Sequence, residues 1–580
     1  MAVVGIDLGT TNTVAAYVRG GRVHVVADEE GRRLLPSVVS FPPSGGVLVG
    51  HAAKERRVVD ARNTIASVKR LIGRAWDSDE IQRARRRVAF ELKEGPARGP
   101  VIVVRGQEHT LPEISAFVLE RAKRIAERAL GEMVDRAVIT VPAHFNELQR
   151  AATKVAGSIA GLEVVRIINE PTAAALAYGL GRSARERVAV YDFGGGTFDC
   201  TLLQLSGSVF EVLATAGDSF LGGDDLDLAI AERIAGAFLH AHRYDPRADP
   251  QAFERLCVAG ERLKIELSSN EHAHAKLHEV AFGVGGTHLN LDFGLARAEL
   301  DGLATPLVER TFAVCQEALS IARLTVSDFD KVILVGGSTR IPLVRQRVEQ
   351  FFGRLPLDRV NPEEVVAVGA AVQAAALTGP LASRDIPPAP VPGARNPHPA
   401  SSPLPVDTLD DEVTLSTDMT AILAEREKLT RIQEPPRVPD RSPVLVDVTP
   451  RALVVETVGG WCDVVVQRNS KIPCERTRAF ATSSDGQTVV RVRVAQGEEA
   501  YFAQNTYLGE VELSGLQFAP RGQVTIQVRF EVDESGTLQV FATDLSTGRE
   551  AHAMLQLVGI AGAESVAAMR TRRAALRLEG

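Results

Sequence analysis

One short device occurs twice in this chain. Ile6 to Thr13 reads IDLGTTNT, an apolar run that ends in an aspartate, a glycine and hydroxyl residues. Tyr191 to Cys200 reads YDFGGGTFDC, the same device with three consecutive glycines, roughly 185 residues later. Consecutive glycines let a tight hairpin bring backbone N–H groups against a large anion. The hydroxyl of Thr197 and the carboxylates of Asp192 and Asp199 suit a hard, water-keeping cation such as Mg²⁺. Alone, the second stretch leaves a glycine-rich hairpin between two strands as the lesser alternative. Its recurrence argues for a duplicated sheet domain that holds phosphate between two facing turns. Neither copy carries the lysine that a Walker loop needs.

A length of 580 residues predicts three or four domains. Hydrophobic content of 45% and charged content of 24% are ordinary for a globular chain with a sizeable core. A net charge of -7 gives no reason to expect nucleic acid or an acidic membrane as the main ligand. The first strand is expected by Val3, which leaves no room for a signal peptide, and no apolar run approaches a membrane span. Cys200, Cys257, Cys315, Cys462 and Cys474 are scattered without a CxxC pair, so a reducing, cytoplasmic compartment is expected.

Residues 1–379 alternate strand-like and helical stretches, as an α/β domain does. Arg136–Val141 reads as strand and Phe145–Ile159 as helix, and Val332–Pro342 as a further strand-to-turn unit whose Gly336 and Gly337 permit close approach of a flat ligand. The helix predicted over Phe253–Leu267 presents Glu261 and Lys264 on one face, by themselves most simply a solvated ion pair. Residues 380–442 are rich in Pro, Ala and Ser and read as a linker, with one short helix over Asp418–Ile432. From Val444 the pattern has period two, as in VVRVRV (Val489–Val494), TIQVRFEV (Thr525–Val532) and TLQVFATD (Thr537–Asp544), with a glycine turn at Asp533–Gly536. Residues 443–558 therefore read as an all-β sandwich, and 559–580 as a short basic C-terminal helix.

The strings IDLGTTNT (6–13), NTIASVKRLIGR (63–74), AVITVPAHFNELQR (137–150), IINEPTAAALAYG (167–179), DFGGGTFD (192–199), GGDDLD (222–227), KIELSS (264–269), VILVGGSTRIP (332–342) and NPEEVVAVGAAVQ (361–373) follow one another in order. With them the chain resembles the 70-kDa heat-shock chaperones of the DnaK type, over nearly its whole length except the linker and the C-terminus. The resemblance implies an α/β, actin-like, two-lobed ATPase domain followed by an all-β peptide-binding sandwich. It implies ATP or ADP as ligand with Mg²⁺, organised through water by Asp7 and Asp192, and K⁺ as a further candidate cation. Gly9, Thr10, Thr11, Gly194, Gly195, Gly196 and Thr197 match phosphate-contacting positions. Lys69 matches the lysine that positions the attacking water, and Glu170 and Asp199 match the acids around it. Adenosine would be held by Glu261, Lys264 and Ser268 on one lobe and by Gly336, Gly337, Ser338 and Arg340 on the other, with Glu363, often aspartate in the family, near the ribose. The family match reverses the simpler reading of Glu261 and Lys264.

In the sandwich, Leu453, Val455, Val458, Phe480, Val490 and Val492 match the lining of a cleft for an extended hydrophobic peptide; sandwich core is the competing reading for Leu453 and Val492. Val458 and Ser483 stand where the family arches over peptide, often with Met and Ala. Pro142, Arg150, Lys154, Arg166 and Asp447 match positions that couple the domains, while His144 and Glu147 replace the family's usual tyrosine and aspartate. Implied partners are unfolded client peptides, a J-domain co-chaperone and a nucleotide-exchange factor, with no nucleic acid and no membrane. Two features depart from the family. About sixty residues precede Val444–Asp447, a sixfold longer tether that costs roughly 1.5 kcal/mol in closure entropy and weakens interdomain docking about tenfold. The helical lid, on the order of a hundred residues in the family, is replaced by Ala561–Gly580, so peptide should leave quickly. An ATP-dependent chaperone fits these features best; a nucleotide-gated scaffold for one client is the alternative, and an actin-fold sugar kinase has no use for the sandwich.

Overall fold

The computed structural model describes residues 2–179, 185–357, 361–378, 442–554 and 563–579. The helix expected over Asp418–Ile432 and almost all of the Pro-rich stretch lie outside the described residues. The duplication read from the two motifs is the plan of the first domain. In one lobe, strands Ala2–Leu8, Asn12–Arg19 and Arg22–Val25 form an antiparallel meander, and Val134–Val141 and then Glu163–Asn169 add in parallel beside the first. In the other, Arg185–Phe193, Phe198–Ser206 and Val209–Asp218 repeat the meander, with Lys331–Val335 parallel to the first of them. Each motif is thus the hairpin turn between the first two strands of a lobe.

Two helices cross between the lobes, Glu170–Gly179 and Val365–Thr378. Their facing residues are small because their backbones nearly touch. A Cβ on Gly369 would lie 1.8 Å from the Ala173 carbonyl oxygen, and one on Gly5 would lie 2.1 Å from Ala371 N. Each lobe has its own apolar core, around Phe117, Phe145 and Ile139 in one and around Tyr191, Phe198 and Phe238 in the other. A third cluster, including Leu176, Val190, Phe210 and Val366, fills the seam at the crossing. The helix expected from Phe145 begins at Glu147, because Asn146 caps it in a reciprocal box with Gln149.

The period-two segments form two four-stranded antiparallel sheets. One contains Leu453–Glu456, Cys462–Val466, Val489–Gln496 and Thr506–Ser514; the other contains Cys474–Ala481, Thr525–Val532, Leu538–Asp544 and Glu550–Met554. Their inward residues share one core, from Val494 and Leu508 to Val528 and Val540. Leu148, from the first domain, belongs to the same cluster, so the sandwich sits against the first lobe.

The connecting strand Val444–Val448 adds to the second lobe's sheet: Val444, Leu445 and Val446 run parallel to Val209, Phe210 and Glu211. Val448 is buried in the seam cluster. The short apolar segment thus docks despite the long stretch before it. The C-terminal residues dock elsewhere. Helix Ala563–Ala575 packs on the first lobe, with Met569 buried in that lobe's core and Arg572 Nη2 donating to Glu113 Oε1 at 2.7 Å. Leu578–Glu579 then pairs in parallel with Val47–Leu48. Among the described residues, none of this segment covers the sandwich as a lid would, and no helix is long and apolar enough to cross a membrane.

Candidate active site

The two motif hairpins meet across the cleft between the lobes. A Cβ on Gly195 would sit 1.8 Å from Thr11 Oγ1, and one on Gly196 would sit 2.4 Å from Thr10 Cγ2. Only glycine allows this approach. The backbone N–H groups of Thr10, Thr11, Gly195 and Gly196 have no hydrogen-bond partner among the described residues. Four unpaired donors gathered on two turns form a nest suited to an anion.

Beside the nest, the carboxylates of Asp7, Glu170, Asp192 and Asp199, the last three buried, gather around one ammonium group, Lys69, which donates to Glu170 Oε1. Asp7 Oδ1 accepts from Thr140 Oγ1 at 3.0 Å. Asp199 Oδ1 accepts from the N–H of His144 at 3.2 Å and lies 2.6 Å from His144 Nδ1, while its Oδ2 has no partner. Burial, then the charges of Glu170, Asp199 and Asp7, holds the Asp192 carboxyl well above the usual range. Glu170 is pushed to about 7, by burial first, opposed by Lys69. Asp7 is raised by burial as well. Four carboxylates for one lysine leave an excess of negative charge and a partnerless oxygen, the donor set of a hard cation. The residues present fit Mg²⁺.

The cleft extends to a cavity of about 740 Å³ that collects most of the residues singled out from the sequence. Asp7, Gly9, Thr10, Thr11, Lys69, Glu170, Asp192, Gly194, Gly195 and Thr197 line the end at the two hairpins. Glu261, Lys264, Ser268, Gly336, Gly337, Ser338, Arg340 and Glu363 line the other. Gly196 and Asp199 adjoin this lining in sequence without being part of it. Glu261 and Lys264 do not pair with each other. Glu261 meets Lys54 at 2.6 Å and Arg57 at 3.6 Å across the lobes, and Lys264 meets Asp227 at 2.8 Å. Ser268 Oγ donates to Lys264 O at 3.1 Å. Ser338 Oγ donates to Gly194 O at 2.8 Å, which ties the far end of the cleft to the glycine turn. Arg340 pairs with Glu363 at 2.8 Å. Gly336 holds φ +84, and a Cβ there would lie 2.4 Å from Phe193 O.

The family model described as Hsp70 protein matches residues 3–389 and 432–578. The chain belongs to the Hsp70 family. The interval between the two matched spans falls in the Pro-rich stretch. Hsp70 proteins are ATP-dependent chaperones and ATPases that bind ATP or ADP with Mg²⁺, client peptides, J-domain proteins and nucleotide-exchange factors. In this Hsp70-family chain, Asn169 Nδ2 donates to Asp447 Oδ2 at 2.7 Å and Thr172 Oγ1 to the same oxygen at 3.4 Å. Arg150 Nη2 in turn holds Asn169 Oδ1 at 2.6 Å. Arg166 reaches Glu534 of the sandwich at 3.2 Å. Pro142 is buried, and Lys154 is exposed.

The peptide-cleft residues divide. Leu453, Val455 and Val492 are buried in the sandwich core, on faces turned toward the opposite sheet. Phe480 and Val490 are half-buried against that core, and Ser483 is exposed beside Gln487. Val458 is 75% exposed. Sequence reasoning overlooked Lys54, Arg57 and Arg70, whose roles arise only from chain segments brought together in space. Arg70 adjoins Lys69 in NTIASVKRLIGR, and donates through Nε to the Gly196 carbonyl at 2.7 Å.

Proposed function

We propose that this chain hydrolyses ATP between its lobes and that the nucleotide state controls how its sandwich grips an extended hydrophobic peptide. The observation that carries the reading is the conjunction, in one cleft, of four unpaired backbone donors with four carboxylates, three of them buried, and one lysine. Phosphoryl transfer asks a protein mainly for positioning and charge stabilisation. Thr10, Thr11, Gly195 and Gly196 supply the donors. Asp7 and Asp192 would hold Mg²⁺ through its waters; bound there, the ion neutralises phosphate charge. Lys69, oriented by Glu170, stabilises charge on the terminal phosphate and positions the attacking water. Asp199, whose Oδ1 is committed to His144, offers the free Oδ2 as acceptor for that water's proton.

Asp447 supports the coupling. It links the connecting strand to Asn169, one residue before the catalytic Glu170 on the crossing helix, so closure of the lobes and docking of the strand are mechanically joined. Peptide would then occupy the exposed Val458 side, with J-domain and nucleotide-exchange partners acting on the cycle. A second reading, a nucleotide-gated scaffold for one client, draws support from the C-terminal helix, which is engaged on the first lobe and leaves the sandwich without a latch. Single-turnover ATP hydrolysis, with and without excess unfolded hydrophobic peptide, separates the two. Peptide stimulation is expected, and Lys69→Ala should lower the rate at least about 100-fold, the scale of losing a transition-state charge donor. Hydrolysis indifferent to peptide supports the scaffold, and an unaffected Lys69→Ala variant refutes the assigned chemistry.

A further inference from the structure

A second cavity of about 710 Å³ lies behind the phosphate hairpins, between the lobes and reaching Arg451 of the sandwich. Six arginines line it, Arg70, Arg74, Arg83, Arg87, Arg310 and Arg451, against four carboxylates, Glu80, Asp218, Asp225 and Glu317. The carboxylates are already engaged. Arg70 takes Asp225 at 2.6 Å, Arg74 takes Glu80 at 2.7 Å and Arg310 takes Asp218 at 2.6 Å. Glu317 is held from outside the lining by Arg468 at 2.7 Å. Arg87 comes no nearer than 3.9 Å to Asp225, Arg83 bonds only the Asp79 carbonyl, and Arg451 has no carboxylate partner among the described residues. Burial, with Arg451 adding to it, holds the Arg74 guanidinium below its usual range despite Glu80. A partly enclosed space with unspent guanidinium groups is a receptor for a compact oxyanion, which arginine forks bind in pairs.

The wall between this cavity and the nucleotide cleft is thin. Arg70 donates to the carbonyls of Gly196 at 2.7 Å and Gly195 at 3.4 Å from the back, while the N–H groups of the same two residues are those left unpaired beside the cleft. Asp224 lines the cleft and its neighbour Asp225 lines the rear cavity. The other part of the wall is His144, which belongs to the rear lining and touches Asp199 through Nδ1 and Ser219 Oγ through Nε2, both at 2.6 Å. One turn of backbone and one imidazole that spans the lobes therefore separate the reacting acids from an arginine-rich chamber.

We propose that this chamber is a second phosphate site, the vestibule through which inorganic phosphate cleaved from ATP leaves past the His144–Ser219 contact. The proposal rests on the hydrolytic reading above. In that scheme phosphate leaves by the rear while ADP remains held by the nucleoside end of the cleft. Arg83, Arg87 and Arg451 draw the anion outward, and Arg70 marks the threshold.

The test uses the full chain, inorganic phosphate as the probe, and the charge-reversed variant Arg87→Glu/Arg451→Glu. Both residues are exposed and neither lines the nucleotide cleft, so folding and ATP cleavage should persist. With a non-hydrolysable ATP analogue filling the cleft, phosphate binding is titrated by ³¹P NMR. The variant should bind at least tenfold more weakly than wild type. In single turnovers, cleavage should be unchanged by quenched flow, while release read by a fluorescent phosphate sensor slows at least threefold. An analogue that binds, with phosphate affinity equal in both proteins, overturns the vestibule and leaves the ATPase reading intact. Weakened binding with unchanged release overturns the exit role. Failure of the analogue to bind at all refutes the hydrolytic reading and the exit with it.

Discussion

Docking of the sandwich should depend on pH through Glu147. This residue stands at the junction of the two domains: its N–H donates to Gln496 Oε1 of the sandwich at 3.2 Å, and its side chain is 2% exposed with Oε2 unpartnered. Burial pushes its carboxyl from an ordinary 4.5 to about 8, with Arg150 opposing and Asp533 adding to the rise. A carboxyl raised in the docked state binds its proton more tightly there, so docking takes up a proton. The associated stability is complete below about pH 4.5, declines as pH rises, and is lost above about 8. Within that window each pH unit is worth about 1.4 kcal/mol, a tenfold change in the docking constant. Asp447 is also raised by burial and contributes in the same direction. Glu147→Gln removes the first contribution. At pH 7.5 it spares an ionisation penalty of at most about 4 kcal/mol; an amide without a partner gives back about 1–3 kcal/mol. The net expectation is docking strengthened about fivefold or more at pH 7.5, with a slope shallower by nearly one proton. Energy transfer between dyes on the second lobe and on the sandwich, titrated with ATP from pH 5.5 to 8, reads this directly. An unchanged slope in Glu147→Gln would refute the assignment of the proton to this residue.

Two further outcomes follow from contacts between distant segments. Asn169→Ala removes the donor to the half-buried Asp447 carboxylate, and should weaken docking by about 1.5–3 kcal/mol in the same energy-transfer assay, with ATP binding unaffected. Met569→Ala empties a site buried in the first lobe's core, and should cost the C-terminal segment about 2 kcal/mol or more of docking stability. Hydrogen exchange across 563–579 should rise by more than tenfold in that variant; unchanged protection would show that the segment is held by its arginines alone.

The hairpin end of the cleft was readable because each of its parts is local. Asp–Gly–hydroxyl strings specify a turn and its donors within one hairpin, and the period-two pattern of 489–494 or 525–532 specifies a strand with one inward face. Lys69 and Glu170 were also reachable, through strings long enough to carry a family resemblance. Other features do not reside in any single stretch. Glu261 and Lys264 share a helix face, yet their partners are Lys54 and Asp227, chosen by which lobe each meets. Leu453 and Val455 alternate with nothing exposed, because the strand is covered on both sides, and no pattern within four residues reveals that.

By itself, then, the sequence determined the duplicated hairpins, the hydroxyl and carboxylate groups set on them and the class of each domain, since these follow from backbone freedom, residue placement and hydrophobic period. Only the tertiary structure decided that four acids crowd one lysine, that six arginines gather behind the phosphate turn, that Val444–Val448 joins a sheet begun some 250 residues earlier, and that the last helix lies on the first lobe. The physical reason is that charge excess, desolvation and strand addition are properties of groups brought together from far apart in the chain, and they come into being when the lobes and the sandwich close on one another.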